Sequence, residues 1–347
     1  MNYKKIQLIY DHLCDDISRM IFEKRLEYSL SGSYHKIDEM VNLELYRYGD
    51  SDILNRCMDW IRKNNIEKVS VFGAGNAGHQ IVHILKSNKI PVEKVYDNNE
   101  KKWGDKCDGV PICSSKEISA GEYIIIGVDY YREDIMQQLQ ILGVERNNMF
   151  IPDALWKMGD CSQYFDKRIM KPSESEIFVD GGCLDGEDSK AFAEWCNGKY
   201  ECIYAFEPES TNQKKIMTMT KAMDRFEVYP MGLWSEKATL KFISGNRECC
   251  MISKKGDILI EVDSIDNVLD GKRVTYIKMD IEGSEMEALK GAEKTIKAFK
   301  PRLAICVYHK PEDIIDIPLK ILELNPNYKL YLRHYSFSDL ETVLYAI

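Results

Sequence analysis

Two glycine turns and one acidic block hold the side chains that could do chemistry. The first turn is Asp180-Gly181-Gly182-Cys183-Leu184-Asp185-Gly186-Glu187. It follows the apolar run Ile177-Phe178-Val179, and a helical face starts after it at Phe192, Ala193 and Trp195. An α/β domain presents a cofactor site in this way, at the carboxyl end of its first strand. Glu207 closes the next strand pattern, Glu201 to Phe206, where a carboxylate can accept two hydrogen bonds from ribose hydroxyls. Asp180, Asp185 and Glu187 make the turn acidic. A pyrophosphate favours amides and a helix dipole with little negative charge nearby. Adenosylmethionine has no phosphate and carries an amino group and a sulfonium, so it suits this turn better.

The acidic block is Ile277-Lys278-Met279-Asp280-Ile281-Glu282-Gly283-Ser284, and His309 ends the following strand pattern, Arg302 to Tyr308. Asp280, Glu282 and His309 therefore sit at carboxyl ends of strands, where a general base is needed if a weak oxygen nucleophile is to react. His309 has the best-matched unperturbed pKa, near 6.5. Two carboxylates and a histidine could also collect Mg²⁺, but nothing in the sequence fixes their separation, and no metal is expected.

The second turn lies earlier. Val69 to Phe72 reads as a strand, Gly73-Ala74-Gly75-Asn76-Ala77-Gly78 follows, and Ile81, Val82, Ile84 and Leu85 give a helical face. Val92 to Tyr96 reads as the next strand and ends at Asp97. Strand, GxGxxG, helix, strand and acid form the dinucleotide fingerprint in its proper setting. Gly73, Gly75, Gly78 and Asp97 would then hold NAD or a sugar nucleotide. A purely architectural domain is the competing reading. His79 and His83 share a helix face but lack a third ligand, and read as ordinary surface or packing histidines.

These landmarks organise the chain. Residues 1–65 read as helices: Ile6 to Ile21, then Ile37 to Leu45, then Ile53 to Ile61, forming a helical cap or arm. Residues 66–153 form the first nucleotide-type domain. Residues 154–176 are turn-rich, with Met158-Gly159-Asp160-Cys161 among them, and read as a linker. Residues 177–347 form the second domain. Thr211 to Met223 reads as a helix and Tyr130 to Leu142 as another. Residues 237–262 form an insert with turns at Ser244-Gly245-Asn246 and Lys254 to Asp257, placed to help choose an acceptor. Ser284 and Glu287 suggest a capping box for a helix reaching Phe299. Strands at Tyr328 to Leu332 and Thr342 to Tyr345 complete a seven-stranded, mostly parallel sheet.

Composition narrows the function classes. The chain has 347 residues, 44% hydrophobic, with formal charge -9. Two domains with real cores are expected. No long basic run is present, so nucleic acid is not an expected partner. No apolar run approaches the roughly 20 residues of a transmembrane helix. The start, Met1-Asn2-Tyr3-Lys4-Lys5-Ile6, lacks signal-peptide character, and a cytoplasmic protein is the expectation. The eleven cysteines include one adjacent pair, Cys249-Cys250, and no CxxC. They read as reduced.

The second domain resembles the FkbM family of adenosylmethionine-dependent methyltransferases. The resemblance spans about 177–347 and rests on Ile277 to Glu285, Ala288-Leu289-Lys290-Gly291-Ala292, Val179-Asp180-Gly181-Gly182, Ala205-Phe206-Glu207-Pro208 and the terminal Glu341 to Ala346. Cys183 stands where the family commonly shows Asn or Ala. The resemblance implies a Rossmann-like, seven-stranded class I methyltransferase domain that methylates oxygen, often on a sugar, glycan or complex natural product. It implies that Asp180, Gly182 and Gly186 border the methionine part, that Glu207 holds ribose, and that Met231-Gly232 lie near adenine. Asp280 and Glu282 would line the reacting end. The first domain resembles the small Rossmann-like amino-terminal domain of sugar acyltransferases, through Phe72 to Gly75, Tyr96-Asp97-Asn98, Gly104 and Gly109-Val110-Pro111. Expected partners are a small-molecule or glycan acceptor, with a homo-oligomer left open. The competing readings are an NAD- or sugar-nucleotide-dependent enzyme using residues 66–153, and a non-catalytic binding or scaffold protein.

Overall fold

The computed structural model describes residues 3–33, 36, 37, 40, 52–128, 132–151, 163–221, 223–244, 251–336 and 339–347. The expected turns at 158–161 and 244–246, the cysteine pair 249–250 and most of the expected helix 37–45 lie wholly or partly outside them. The chain divides into two compact units, one of residues 37–161 with 335–339, the other of 1–36, 162–334 and 340–347.

Two helices start the larger unit, α1 (Tyr3–His12) and α2 (Asp16–Ser31). The smaller unit begins with α3 (Asp52–Lys63), and continues through β1 (Val69–Phe72), α4 (Asn76–Ser87), β2 (Val92–Asp97), β3 (Lys106–Cys107), β4 (Val110–Ser114), β5 (Ile124–Ile126), α5 (Arg132–Ile141) and β6 (Met149–Phe150). Its six strands run in the order β3-β4-β2-β1-β5-β6. All pairs are parallel except β3 with β4. β1 and β5 are largely apolar, as strands covered on both faces must be. Val69, Val71, Ile124 and Ile125 are all buried.

The larger unit resumes with β7 (Glu176–Gly181), α6 (Glu187–Trp195), β8 (Tyr200–Phe206), α7 (Ser210–Met219) and β9 (Phe226–Tyr229). An inserted four-stranded sheet follows: β10 (Gly232–Leu233), β11 (Ala238–Ile243), β12 (Met251–Ile252) and β13 (Ile258–Asp263), in the order β10-β13-β11-β12. Then come α8 (Ile265–Leu269), β14 (Tyr276–Met279), α9 (Glu285–Lys290), α10 (Glu293–Phe299), β15 (Arg302–Cys306), α11 (Asp313–Leu324), β16 (Leu330–His334) and β17 (Thr342–Ala346). The main sheet has seven strands in the order β16-β17-β15-β14-β7-β8-β9, with β17 antiparallel to both neighbours. This is the expected Rossmann-like class I methyltransferase sheet. The order reverses between β7 and β14, so the loops after these two strands open a crevice at a topological switch point.

Three expectations need correction. The segment 1–65 is not one cap: α2 packs on β16 and α1 on α11 of the larger unit, while α3 belongs to the smaller. The reason is specific pairing. Asp15 caps α2 by accepting from the Ser18 amide at 2.8 Å and also binds Arg333 at 2.7 Å, and Leu13 bridges to Leu330. Second, residues 163–166 of the expected linker are core. Tyr164 and Phe165 are buried, and Phe165 packs edge-on against Phe178 and Tyr276. Third, Ser284 makes no side-chain cap, and the expected helix to Phe299 breaks into α9 and α10. At the break a Cβ on Gly291 would stand 2.0 Å from the Trp234 carbonyl.

Asp15→Ala removes the α2 cap and leaves the buried Arg333 guanidinium short of its counter-ion. A loss of about 3 kcal/mol is expected, at the low end for breaking a buried pair because Asp15 is partly exposed. Urea denaturation measures it.

Candidate active site

β7 and β14 lie side by side with Asp180 opposite Lys278. Lys278 is fully buried. Its ammonium meets Asp180 at 3.2 Å, Asp188 at 3.0 Å and the Gly182 carbonyl at 2.9 Å. Burial works against its charge, but Asp180 and Asp188 outweigh that and hold the ammonium well above its ordinary pKa. Asp180 also accepts from Ser189 Oγ at 2.6 Å. One buried cation thus ties together the end of β7, its glycine turn and the first turn of α6.

Above this pairing an open cavity of about 840 Å³ is lined by Gly182, Leu184, Asp188, Glu207, Gly232, Asp280, Glu282 and several apolar side chains. Gly182 has φ +74, and a Cβ there would stand 2.0 Å from the Asp280 carbonyl, so only glycine lets the two loops approach. Glu207 ends β8. Its oxygens accept from the Leu184 amide at 3.1 Å and the Glu209 amide at 2.9 Å. Burial dominates and lifts its pKa to about 7.

The far side of the cavity carries a second charge cluster. His309 Nε2 lies 3.4 Å from Asp280 and 3.4 Å from Glu282, and Nδ1 lies 3.0 Å from Glu285. Burial disfavours the imidazolium, but Glu285, Asp280 and Glu282 raise the His309 pKa to about 9. Glu285 fixes the loop as well, accepting from the Ile281 amide at 2.9 Å. Asp280 feels the opposite balance: burial is outweighed by His309 and Lys278, and its carboxyl is held below the usual value. Glu282 remains raised to about 7, chiefly by burial, and sits at φ +54 in the turn beside Gly283. Asp280, Glu285 and His309 bring ligand atoms within 4.8 Å of one another.

Of the residues singled out from sequence, Gly182, Glu207, Gly232, Asp280 and Glu282 line the cavity. Asp180 lies beneath it, paired with Lys278. Gly186 starts α6 at φ +91, Met231 is half-buried beside β10, and His309 stands behind Asp280 and Glu282. Sequence reasoning missed Asp188, two residues past Gly186, and the insert residues Phe242, Ile252 and Ile260, which form an apolar wall. The alternating pattern of β11 could have revealed Phe242.

The other glycine turn is closed on itself. Asp97 accepts from the Ala74 amide at 2.8 Å, the Asn99 amide at 2.8 Å and Lys102 at 3.1 Å. These partners outweigh burial and keep its pKa low. A Cβ on Gly78 would meet the Gly73 carbonyl at 1.8 Å, and one on Gly73 the Gly127 carbonyl at 2.4 Å. Close packing of the chain explains both glycines, and nothing in this geometry supports NAD or a sugar nucleotide. His79 pairs with Asp108 at 3.3 Å.

Residues 179–338 match the family described as Methyltransferase FkbM domain. The chain carries an FkbM-family, adenosylmethionine-dependent methyltransferase domain. Residues 53–150 match a different description, C2185-like, N-terminal, and the expected likeness to sugar acyltransferase domains is not among these findings. The crystal structure of methyltransferase FkbM from Methylobacillus flagellatus KT covers 92% of this chain and 100% of its own, at 20% identity and TM-score 0.50, which shows a shared fold. An rRNA methylase from Streptococcus thermophilus covers 50% of this chain and 86% of its own, at 14% identity and TM-score 0.33. Fibrillarin from Aeropyrum pernix, with natively bound S-adenosyl-L-methionine, covers 50% and 67%, at 10% identity and TM-score 0.34. No curated protein matches. Among the described residues, no helix is long and apolar enough to cross a membrane.

The FkbM-domain cavity suits its cofactor chemically. Asp188, Glu207, Asp280 and Glu282 line it, a set of acceptors and negative charges matched to an amino group, ribose hydroxyls and a sulfonium.

Lys278→Met strands the buried Asp180 carboxylate. A loss of about 3–5 kcal/mol is expected, and Asp180→Leu in the same chain should recover part of it. Chemical denaturation of the two variants measures both effects.

Proposed function

We propose that the protein methylates a hydroxyl oxygen of a sugar, glycan or complex natural product, with Glu282 as general base. Adenosylmethionine supplies the activated methyl group. The observation that carries the reading is Glu282 itself: it faces the cavity with a pKa near 7 and the His309 imidazolium at its back. A base works best when its pKa lies near the operating pH. His309, with its pKa near 9, is already protonated at neutral pH, so we assign it the task of holding Asp280 and Glu282 rather than that of base.

Glu207 would hold the ribose hydroxyls, its carboxylate fixed by two amides. Gly182 gives the methionine part access to the loop backbone, and Gly232 with the apolar insert residues gives the adenine a flat wall. Asp280, kept ionised, orients the acceptor hydroxyl, and that hydroxyl's proton passes to Glu282 as the oxygen attacks. Holding acceptor and donor in line lowers the barrier by several kcal/mol. The described residues lining the cavity include no lysine or arginine, which favours an uncharged acceptor over a phosphorylated one.

Glu282→Gln should lower kcat by about 10²–10⁴-fold with adenosylmethionine affinity kept within a few-fold. In the wild type, kcat should rise with pH through about 7 as Glu282 loses its proton, and fall through about 9 as His309 loses its own. A Gln variant that retains full turnover and the limb near 7 would exclude Glu282 as the base.

A further inference from the structure

We infer that Tyr164, which lies upstream of the family-matched residues 179–338, is a positioning residue that orients the Asp280 carboxylate. The kinetic part of this inference rests on the methyl-transfer reading above.

Tyr164 is 4% exposed, yet its backbone lies at φ +73. That region is a strained one for a bulky residue and persists only where the surroundings fix it. Here they do. The Tyr164 amide donates to Tyr345 Oη at 3.1 Å, and the Tyr276 hydroxyl donates to the Tyr164 carbonyl. Gln163 Nε2 donates to the Tyr164 hydroxyl at 3.1 Å, and the Lys278 ammonium stands 5.1 Å from the ring centre. The phenol then has one proton to give, and it gives it to Asp280 Oδ2 at 2.8 Å.

The other Asp280 oxygen accepts from the Tyr308 hydroxyl at 3.1 Å. Each carboxylate oxygen therefore receives one neutral donor, and rotating the carboxylate breaks both bonds. Donors of this kind favour the charged form and fix its plane. The packing of Tyr164 would be met equally by a phenylalanine. Its hydroxyl adds the bond to Asp280, the bond accepted from Gln163 and a contact with the Cys306 thiol at 3.7 Å; of the three partners only Asp280 lines the cavity. A strained residue held by several bonds beside a cavity carboxylate is the pattern expected of a supporting group at a functional site.

The test is the Tyr164→Phe variant, crystallised with adenosylmethionine and assayed alone and combined with Asp280→Asn. The Asp280 carboxylate should turn away from its present plane. Turnover should fall about tenfold with the KM for adenosylmethionine within twofold, and in the Asp280→Asn background the same change should alter kcat by less than twofold. An unmoved carboxylate, or equal losses in both backgrounds, overturns the inference. If the wild type methylates no hydroxyl acceptor, the proposed function fails, and the carboxylate position alone decides for Tyr164. Should Tyr164→Phe not fold, Gln163→Met removes the amide that donates to the phenol and should give a smaller fall, two- to threefold, also absent in the Asp280→Asn background. No fall, or one that persists in that background, again counts against the inference.

Discussion

A lysine with no exposure to water stands between the two central strands of the large sheet. Taking an ammonium out of water costs several kcal/mol unless counter-charges surround it. Lys278 meets that requirement with Asp180, Asp188 and the Gly182 carbonyl. The consequence is geometric. Two strand ends, a glycine turn and a helix start must all come to one point, and that point is the floor of the cavity. The loops above it have little freedom left.

A second cation repeats the arrangement on the far side of the cavity. His309 is held protonated by Asp280, Glu282 and Glu285, and it neutralises carboxylates that would otherwise repel one another. The two cations sort the acids by task. Asp280 lies near both and stays ionised. Glu282 lies near one and is half-buried, and its pKa sits near neutrality. Different pKa values for neighbouring carboxylates, set by environment, are what acid–base chemistry at neutral pH needs. The smaller unit shows the contrast: Asp97, the acid in the more familiar glycine fingerprint, is fully engaged by its own chain.

Much of this was legible in the sequence. The alternation of apolar strands and helical faces gave the sheet with its strand count, and the carboxylates Glu207, Asp280 and Glu282 were placed on the cavity by their position at strand ends. Asp180 was misread in part: its type and place marked a cofactor loop, but only the register with Lys278 shows that it faces inward. The roles of His309 and Tyr164 were hidden for the same reason. A histidine's unperturbed pKa says nothing of three acids brought to it from distant positions, and a tyrosine in a turn-rich stretch gives no sign that it will be buried under a strand end. The glycines at 73 and 78 matched a ligand-binding pattern, although backbone packing alone requires them. The expected limits missed at 1–65 and at 163–166 because the pairing that decides them, Asp15 with Arg333 and Phe165 with Tyr276, links residues far apart in the chain.

The central claim is that the cavity beside Glu207, and not the glycine loop beside Asp97, takes the methyl donor. Calorimetric titration of adenosylmethionine into the wild type, Glu207→Ala and Asp97→Ala tests it most directly. The account predicts one site in the wild type, affinity weakened at least tenfold by Glu207→Ala, and affinity unchanged by Asp97→Ala. Binding that survives Glu207→Ala and is lost in Asp97→Ala would contradict it.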